Sequence, residues 1–267
     1  MKKLTVKDLL DNKGKKQLTE VYAHNSNEAA ACELAGIDML VTSENNNVTE
    51  IRNAAPNTFL TVGLAYGEHT NETRILDASF HAIKLGADAI YCPQGLRLVR
   101  AIADEGIPVV GHVGFVPYKA SIFGGFKAVG KTAKEAVKTL ELTKAYQDAG
   151  AIGVEIEIVP HKVATYISQN VDILLISMGS GNGCDAQYLF ADDILGYNKG
   201  HIPRHAKVYC DHKSEYERLF NESIVAFKAF KNDVNSDSYP EKKHNLEIDN
   251  SEYKNFLSLI KTKDYLN

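Results

Sequence analysis

The stretch DAGAIGVEIEIVP, residues 148–160, joins two kinds of signal. Its first part closes a helical run, TAKEAVKTLELTKAYQDA, at Gly150; its second part is a short apolar strand. A glycine just past a helix takes the left-handed conformation that ends the helix without a Cβ clash. Val154, Ile156 and Ile158 then alternate with Glu155 and Glu157, so both carboxylates lie on one face of the strand. Two orientations are open. Facing inward, the carboxylates would share the interior of a sheet closed on itself; facing outward, they would lie under helices and need basic partners.

The same helix–glycine–strand pattern recurs in ELAGIDMLVT (33–42), KLGADAIYCP (84–93) and DEGIPVVGHV (104–113), with glycines at 36, 86 and 106. Thr132 with Glu135 three residues later forms a capping-box signal at the start of the helical run. Short apolar strands alternating with helices imply a parallel sheet with helices outside. Eight candidate strands follow: 20–23, 39–42, 58–62, 89–92, 108–112, 153–158, 173–178 and 187–191. That number points to a closed (β/α)8 TIM barrel, and the lack of a GxGxxG after the first strand weighs against a dinucleotide fold. The last strand is ambiguous, because QYLFADDILG also fits a helix.

The 267 residues suit one such barrel as well as they suit two smaller domains. A formal net charge of −4 argues against non-specific nucleic-acid or anionic-membrane binding. The N-terminal MKKLTVKDLLDNKGKK has lysines but no apolar run behind them, and no window approaches a membrane span. Four cysteines without metal-ligand spacing fit a reduced, cytoplasmic protein without a zinc site.

In such a barrel the chemistry gathers at the C-terminal ends of the strands. Ser43 and Glu44 follow strand two, Gly63 follows strand three, Pro93 follows strand four, His112 ends strand five, Glu157 lies near the end of strand six, and Gly179–Asn182 follow strand seven. Glu157 is the candidate general base. Ser43, Glu44, Tyr91, His112, Ser180 and Asn182 are the candidate substrate-binding residues, the turn through its backbone amides. No metal ligand is assigned. The glycine-rich GHVGFVPYKASIFGGFKAVGKT (111–132) is either a mobile cover for the site or an ordered loop packed on another subunit. KGHIPRHAK (199–207) is either an anion site or a solvated basic turn.

GHVGFVPYKASIFGGFKAVGK (111–131), VEIEIVP (154–160), MGSGNGCDAQYLFADDILGYNKGHIPRHAK (178–207) and YPEKKH (239–244) together resemble the ketopantoate hydroxymethyltransferase family, within the phosphoenolpyruvate mutase/isocitrate lyase barrel superfamily. The resemblance implies one barrel domain over 1–244, an extension over 245–267, and a homo-oligomer. It also implies a reaction in which a small 2-oxo acid is enolised beside Mg²⁺ and receives a one-carbon unit from methylenetetrahydrofolate. Glu157 matches the family's acid/base glutamate and His112 its substrate-contacting histidine.

Other positions depart from the family pattern. Ser43 stands where the family has a metal-directed Asp and Glu44 where it has a Ser. Gly63 replaces the Asp that ends strand three, and Tyr91 and Pro93 replace the substrate lysine and acid of strand four. Glu44, one place on, and Glu68, further along the third loop, are the carboxylates left to substitute. No cofactor is therefore assigned, and Mg²⁺ and methylenetetrahydrofolate follow only if the family reaction is kept. The alternatives are a metal-independent lyase, hydrolase or isomerase of another small carboxylic acid, or a non-catalytic barrel that binds a small molecule.

Overall fold

The computed structural model describes residues 3–262. Its first compact unit, Met1–Asp211, is a closed barrel of eight parallel strands in sequential order. The strands are β1 (Leu18–Tyr22), β2 (Met39–Ser43), β3 (Phe59–Gly63), β4 (Ala89–Tyr91), β5 (Val109–Gly114), β6 (Gly153–Glu157), β7 (Leu174–Met178) and β8 (Ala186–Phe190). QYLFADDILG resolves as both elements it resembled, strand through Phe190 and helix from Ala191. The helices are α1 (Val6–Asp11), α2 (Ser26–Ala35), α3 (Val48–Ala54), α4 (Glu72–Lys84), α5 (Leu96–Asp104), α6 (Ala120–Phe123), α7 (Ala133–Asp148), α8 (His161–Gln169) and α9 (Ala191–Ile194).

Local chemistry sets these boundaries. Gly36 ends α2 at φ +77°, and the Thr132–Glu135 capping box starts α7. One apolar cluster fills the space between strands and outer helices, with Val62, Ile90, Val109, Val154 and Leu175 fully or almost fully buried. A second occupies the barrel interior and includes Leu18, Met39, Phe59, Leu174 and, from α1, Leu9. Each such side chain contributes roughly 1.5–3 kcal/mol on burial. Because Leu9 joins the interior cluster, α1 stoppers the N-terminal end of the barrel and leaves the C-terminal end as its mouth.

Between β7 and β8 lie only residues 179–185, with no helix. This segment runs down the outside of the barrel beside α8: a Cβ at Gly181 would meet His161, and one at Gly183 would meet Thr165.

The second unit, His212–Asn267, holds α10 (His212–Asn235), a short 3₁₀ turn at Lys242–His244 and α11 (Asn250–Thr262). The two compact units meet after Asp211. No described helix is long and apolar enough to cross a membrane.

Candidate active site

Glu155 and Glu157 face into the barrel. His112, from the neighbouring strand, lies between them: its Nε2 is 3.2 Å from Glu157 Oε2 and its Nδ1 is 3.5 Å from Glu155 Oε2. The register that pairs His112 with Glu155 and Gly114 with Glu157 produces this alignment. Nε2 also lies 2.9 Å from the Phe115 carbonyl, which can only accept, so Nε2 carries a hydrogen. On the other side Tyr91 Oη is 2.8 Å from Nδ1. The imidazole is therefore fixed by a phenol, a carbonyl and two carboxylates, and is only 5% exposed.

The polar interior extends further down. Glu20 and Tyr188, paired across β1 and β8, are both buried. Burial pushes the Glu20 carboxyl up to about 8, and its Oε2 has no hydrogen-bond partner among the described residues. Glu155 is raised well above the usual carboxylate range by burial first, then by the charges of Glu20 and Glu157. Burial likewise raises the Tyr91 and Tyr188 phenols.

Glycines bring two further groups to the mouth. Gly114 adopts φ +84°, and a Cβ there would lie 2.4 Å from the Glu157 carbonyl; with that space empty, Phe115 N donates to the same oxygen at 2.8 Å. Gly179, at φ +71°, leaves room for the His205 ring. His205 is pushed down by burial, partly offset by the Glu157 charge. Next to Glu157, Ile158 holds φ +49°, an outlying conformation for a β-branched side chain and a local store of strain.

Aromatic rings line the rest of the opening. Tyr22 stacks on Phe190, and burial raises its phenol, partly offset by the neighbouring Asn46 and Ser43. The segment after β5 forms a 3₁₀ turn, Pro117–Lys119, and then α6. From it Tyr118 stacks on Tyr66 of the β3–α4 loop, centroids 4.4 Å apart, while remaining 60% exposed.

The structure brings Ser43, Tyr91, His112 and Glu157 to the C-terminal end of the strands, with Glu44 immediately after β2. It does not bring Ser180 and Asn182 to the same site. Ser180 is fully buried; its hydroxyl donates to Ile156 O and accepts from Val159 N, and its amide donates to Ser177 Oγ. Asn182 lies on the descending limb, where its carbonyl accepts from Gln17, the residue before β1. It lines a cavity of about 460 Å³ with Lys13, Lys15 and Lys16 at the opposite, N-terminal end. The Ser180 amide and hydroxyl, expected to hold an anion, are instead engaged within the barrel wall.

Glu20, Tyr22 and Tyr66 join the site without having been singled out, while Tyr118 and His205 come from the 111–132 and 199–207 segments already read as a cover and as an anion site. Only Glu20 left a usable sign, a carboxylate inside the apolar run LTEVYA. The others come from loops or strand ends whose neighbours the sequence does not give.

A closed parallel barrel with a buried carboxylate–imidazole–carboxylate array reaching its C-terminal mouth has the framework of a barrel enzyme. The ketopantoate hydroxymethyltransferase family profile matches residues 41–242, and the chain belongs to that family. It is 32% identical over 293 aligned positions to 3-methyl-2-oxobutanoate hydroxymethyltransferase 1 of Methylibium petroleiphilum, covering 99% of this chain and 96% of the relative. It is 32% identical to the enzyme of that name from Deinococcus radiodurans, covering 84% and 86%. Among solved structures, a Burkholderia cenocepacia barrel described as a lyase/mutase is 12% identical with a TM-score of 0.53, covering 69% of this chain and 81% of that one. A barrel region of Rhizobium etli pyruvate carboxylase gives 12% and 0.54, covering 70% and 24%. These two likenesses are of fold.

Proposed function

We propose that the chain is a ketopantoate hydroxymethyltransferase-type enzyme that enolises a small 2-oxo acid, 3-methyl-2-oxobutanoate in the first instance, and forms a C–C bond at the carbon so activated. The observation that carries this reading is the placement of Glu157 against His112 at the mouth of a barrel closed below by α1. Glu157 takes the proton from C3 of the oxo acid and returns one in the reverse direction. His112 donates its Nε2–H to the Phe115 carbonyl and so holds the ring edge 3.2 Å from that carboxylate, and Tyr91 and Glu155 hold the imidazole from the other side. The Tyr66–Tyr118 stack is the cover that limits water at the reacting carbon.

The divalent metal implied by the family supplies Lewis-acid stabilisation of the enolate when bound. The family's ligand positions do not fit it here. Gly63 brings no side chain, and a Cβ there would already meet the Tyr91 ring at 3.4 Å; the Tyr91 phenol is engaged with His112, and Ser43 offers one hydroxyl that accepts from Asn45 N. A hard cation needs oxygen ligands that usually include carboxylates, and none stands at those positions.

The test is product formation by the purified chain with 3-methyl-2-oxobutanoate and methylenetetrahydrofolate, followed by mass spectrometry of the hydroxymethylated acid. Formation of that acid supports the assignment. Absence of product, across added divalent cations and with a folded protein, removes it.

A further inference from the structure

We propose that Glu44, Glu68 and His69 form a binding site for one first-row transition-metal cation at the mouth, above β2 and β3. Glu44 follows β2 directly, and its amide donates to the Gly63 carbonyl at the end of β3. Glu68 and His69 stand in the loop between β3 and α4. One ligand atom from each of the three lies within 4.8 Å of the other two. Ala65 N donates to Glu44 Oε1 and orients the carboxylate.

The His69 ring nitrogen lies 2.9 Å from both oxygens of Glu44. A single N–H cannot point well at two oxygens at once, so an ion pair is an incomplete use of this arrangement. Ligand atoms about 2.1 Å from a small divalent ion lie roughly 3 Å apart when adjacent and about 4.2 Å apart when opposed. The His69–Glu44 separation of 2.9 Å matches adjacent ligands, and the Glu68 ligand atom lies within 4.8 Å of both, a small inward movement from opposed ones. Glu44 and His69 are each under one-fifth exposed, whereas Glu68 is exposed, so the cluster has a fixed inner edge and an open outer one. Waters or a ligand carboxylate would complete the shell from the open side.

The donor set selects the ion. One imidazole with two carboxylates suits Mn²⁺, Co²⁺ or Zn²⁺, while Mg²⁺ prefers oxygen alone. The site is displaced from the positions that carry metal-directed carboxylates in the family, one residue along from β2 and out onto the loop after β3. It needs only these three side chains and stands whether or not the chain acts on a 2-oxo acid.

The experiment is titration of the full-length, chelator-treated protein with MnCl₂, reading free Mn²⁺ by electron paramagnetic resonance, with MgCl₂ as competitor. One equivalent of Mn²⁺ should bind at least about tenfold more tightly than Mg²⁺. His69→Ala and Glu44→Gln should each weaken it by at least about tenfold with an unchanged circular dichroism spectrum. Should either variant misfold, Glu68→Gln, at an exposed position, should still weaken binding measurably. No saturable Mn²⁺ binding, equal affinity for Mg²⁺, or wild-type affinity in the folded variants would each overturn the site.

Discussion

His112 Nε2 stands 3.2 Å from Glu157 Oε2, while the Nδ1 of the same ring stands 3.5 Å from Glu155 Oε2. The two glutamates of one strand thus grip one imidazole from opposite sides, and only Glu157 lies at the strand end that meets the mouth. Their roles should separate accordingly. Glu155→Gln should leave proton exchange from the oxo acid within about tenfold of wild type, because Glu155 acts through His112 and not on substrate. Its turnover number should move more than its KM; a loss as deep as that of Glu157→Gln would put Glu155 in direct contact with the reacting carbon.

Tyr91→Phe removes the phenol that meets His112 Nδ1 and keeps the ring that packs on Gly63. The stability cost should be about 1 kcal/mol, the size of one hydrogen bond. Turnover should fall about tenfold as the imidazole loses one of its constraints. Denaturant unfolding and steady-state kinetics read the two effects separately.

Glu20 gives the protein a pH signature. Its folded-state carboxyl is raised to about 8 from 4.5, so between those values the folded state holds a proton that the unfolded chain has released. The associated stability is complete below about 4.5 and is lost as pH rises toward about 8. Glu20→Gln keeps the neutral shape and removes this term. Its melting temperature should exceed wild type by several degrees at pH 8, from a gain on the order of a few kcal/mol, and should match it near pH 4.5. Glu155, raised in the same direction, should leave part of the slope in the variant.

Gly114→Ala places a methyl group 2.4 Å from the Glu157 carbonyl at a backbone angle disfavoured for any L-residue. The variant should lose about 2 kcal/mol or more of stability. Activity should fall further than stability alone explains, because the displaced atoms are those that seat Glu157. Thermal unfolding and proton exchange on the same preparation measure both.

The barrel was legible because its signals are local. Each glycine after a helix, at 36, 86, 106 and 150, marks where the chain turns back into a strand, and the period-two alternation of VEIEIVP fixes which residues share a face. The alternation left open whether that face points inward or outward, and the register that sets His112 against Glu155 belongs to the closed barrel. The fate of SMGSGNG was not legible. A glycine-rich turn after a strand looks the same whether it stays at the mouth or runs down the wall, and here the short β7–β8 connection sends Asn182 to the far end. KGHIPRHAK was read as an anion site or a basic turn, but what brings its His205 to the mouth is the space over Gly179, a contact between distant residues that the sequence does not show. The Glu44–His69 pairing joins two loops across one strand, which neither loop shows by itself.

The central claim is that Glu157 is the group that moves the proton. It is tested most directly by following deuterium incorporation at C3 of 3-methyl-2-oxobutanoate in D₂O by proton NMR, for wild type and Glu157→Gln side by side. Wild type should exchange that proton, and the folded variant should be slower by about a hundredfold or more. Exchange at the wild-type rate in Glu157→Gln would contradict it.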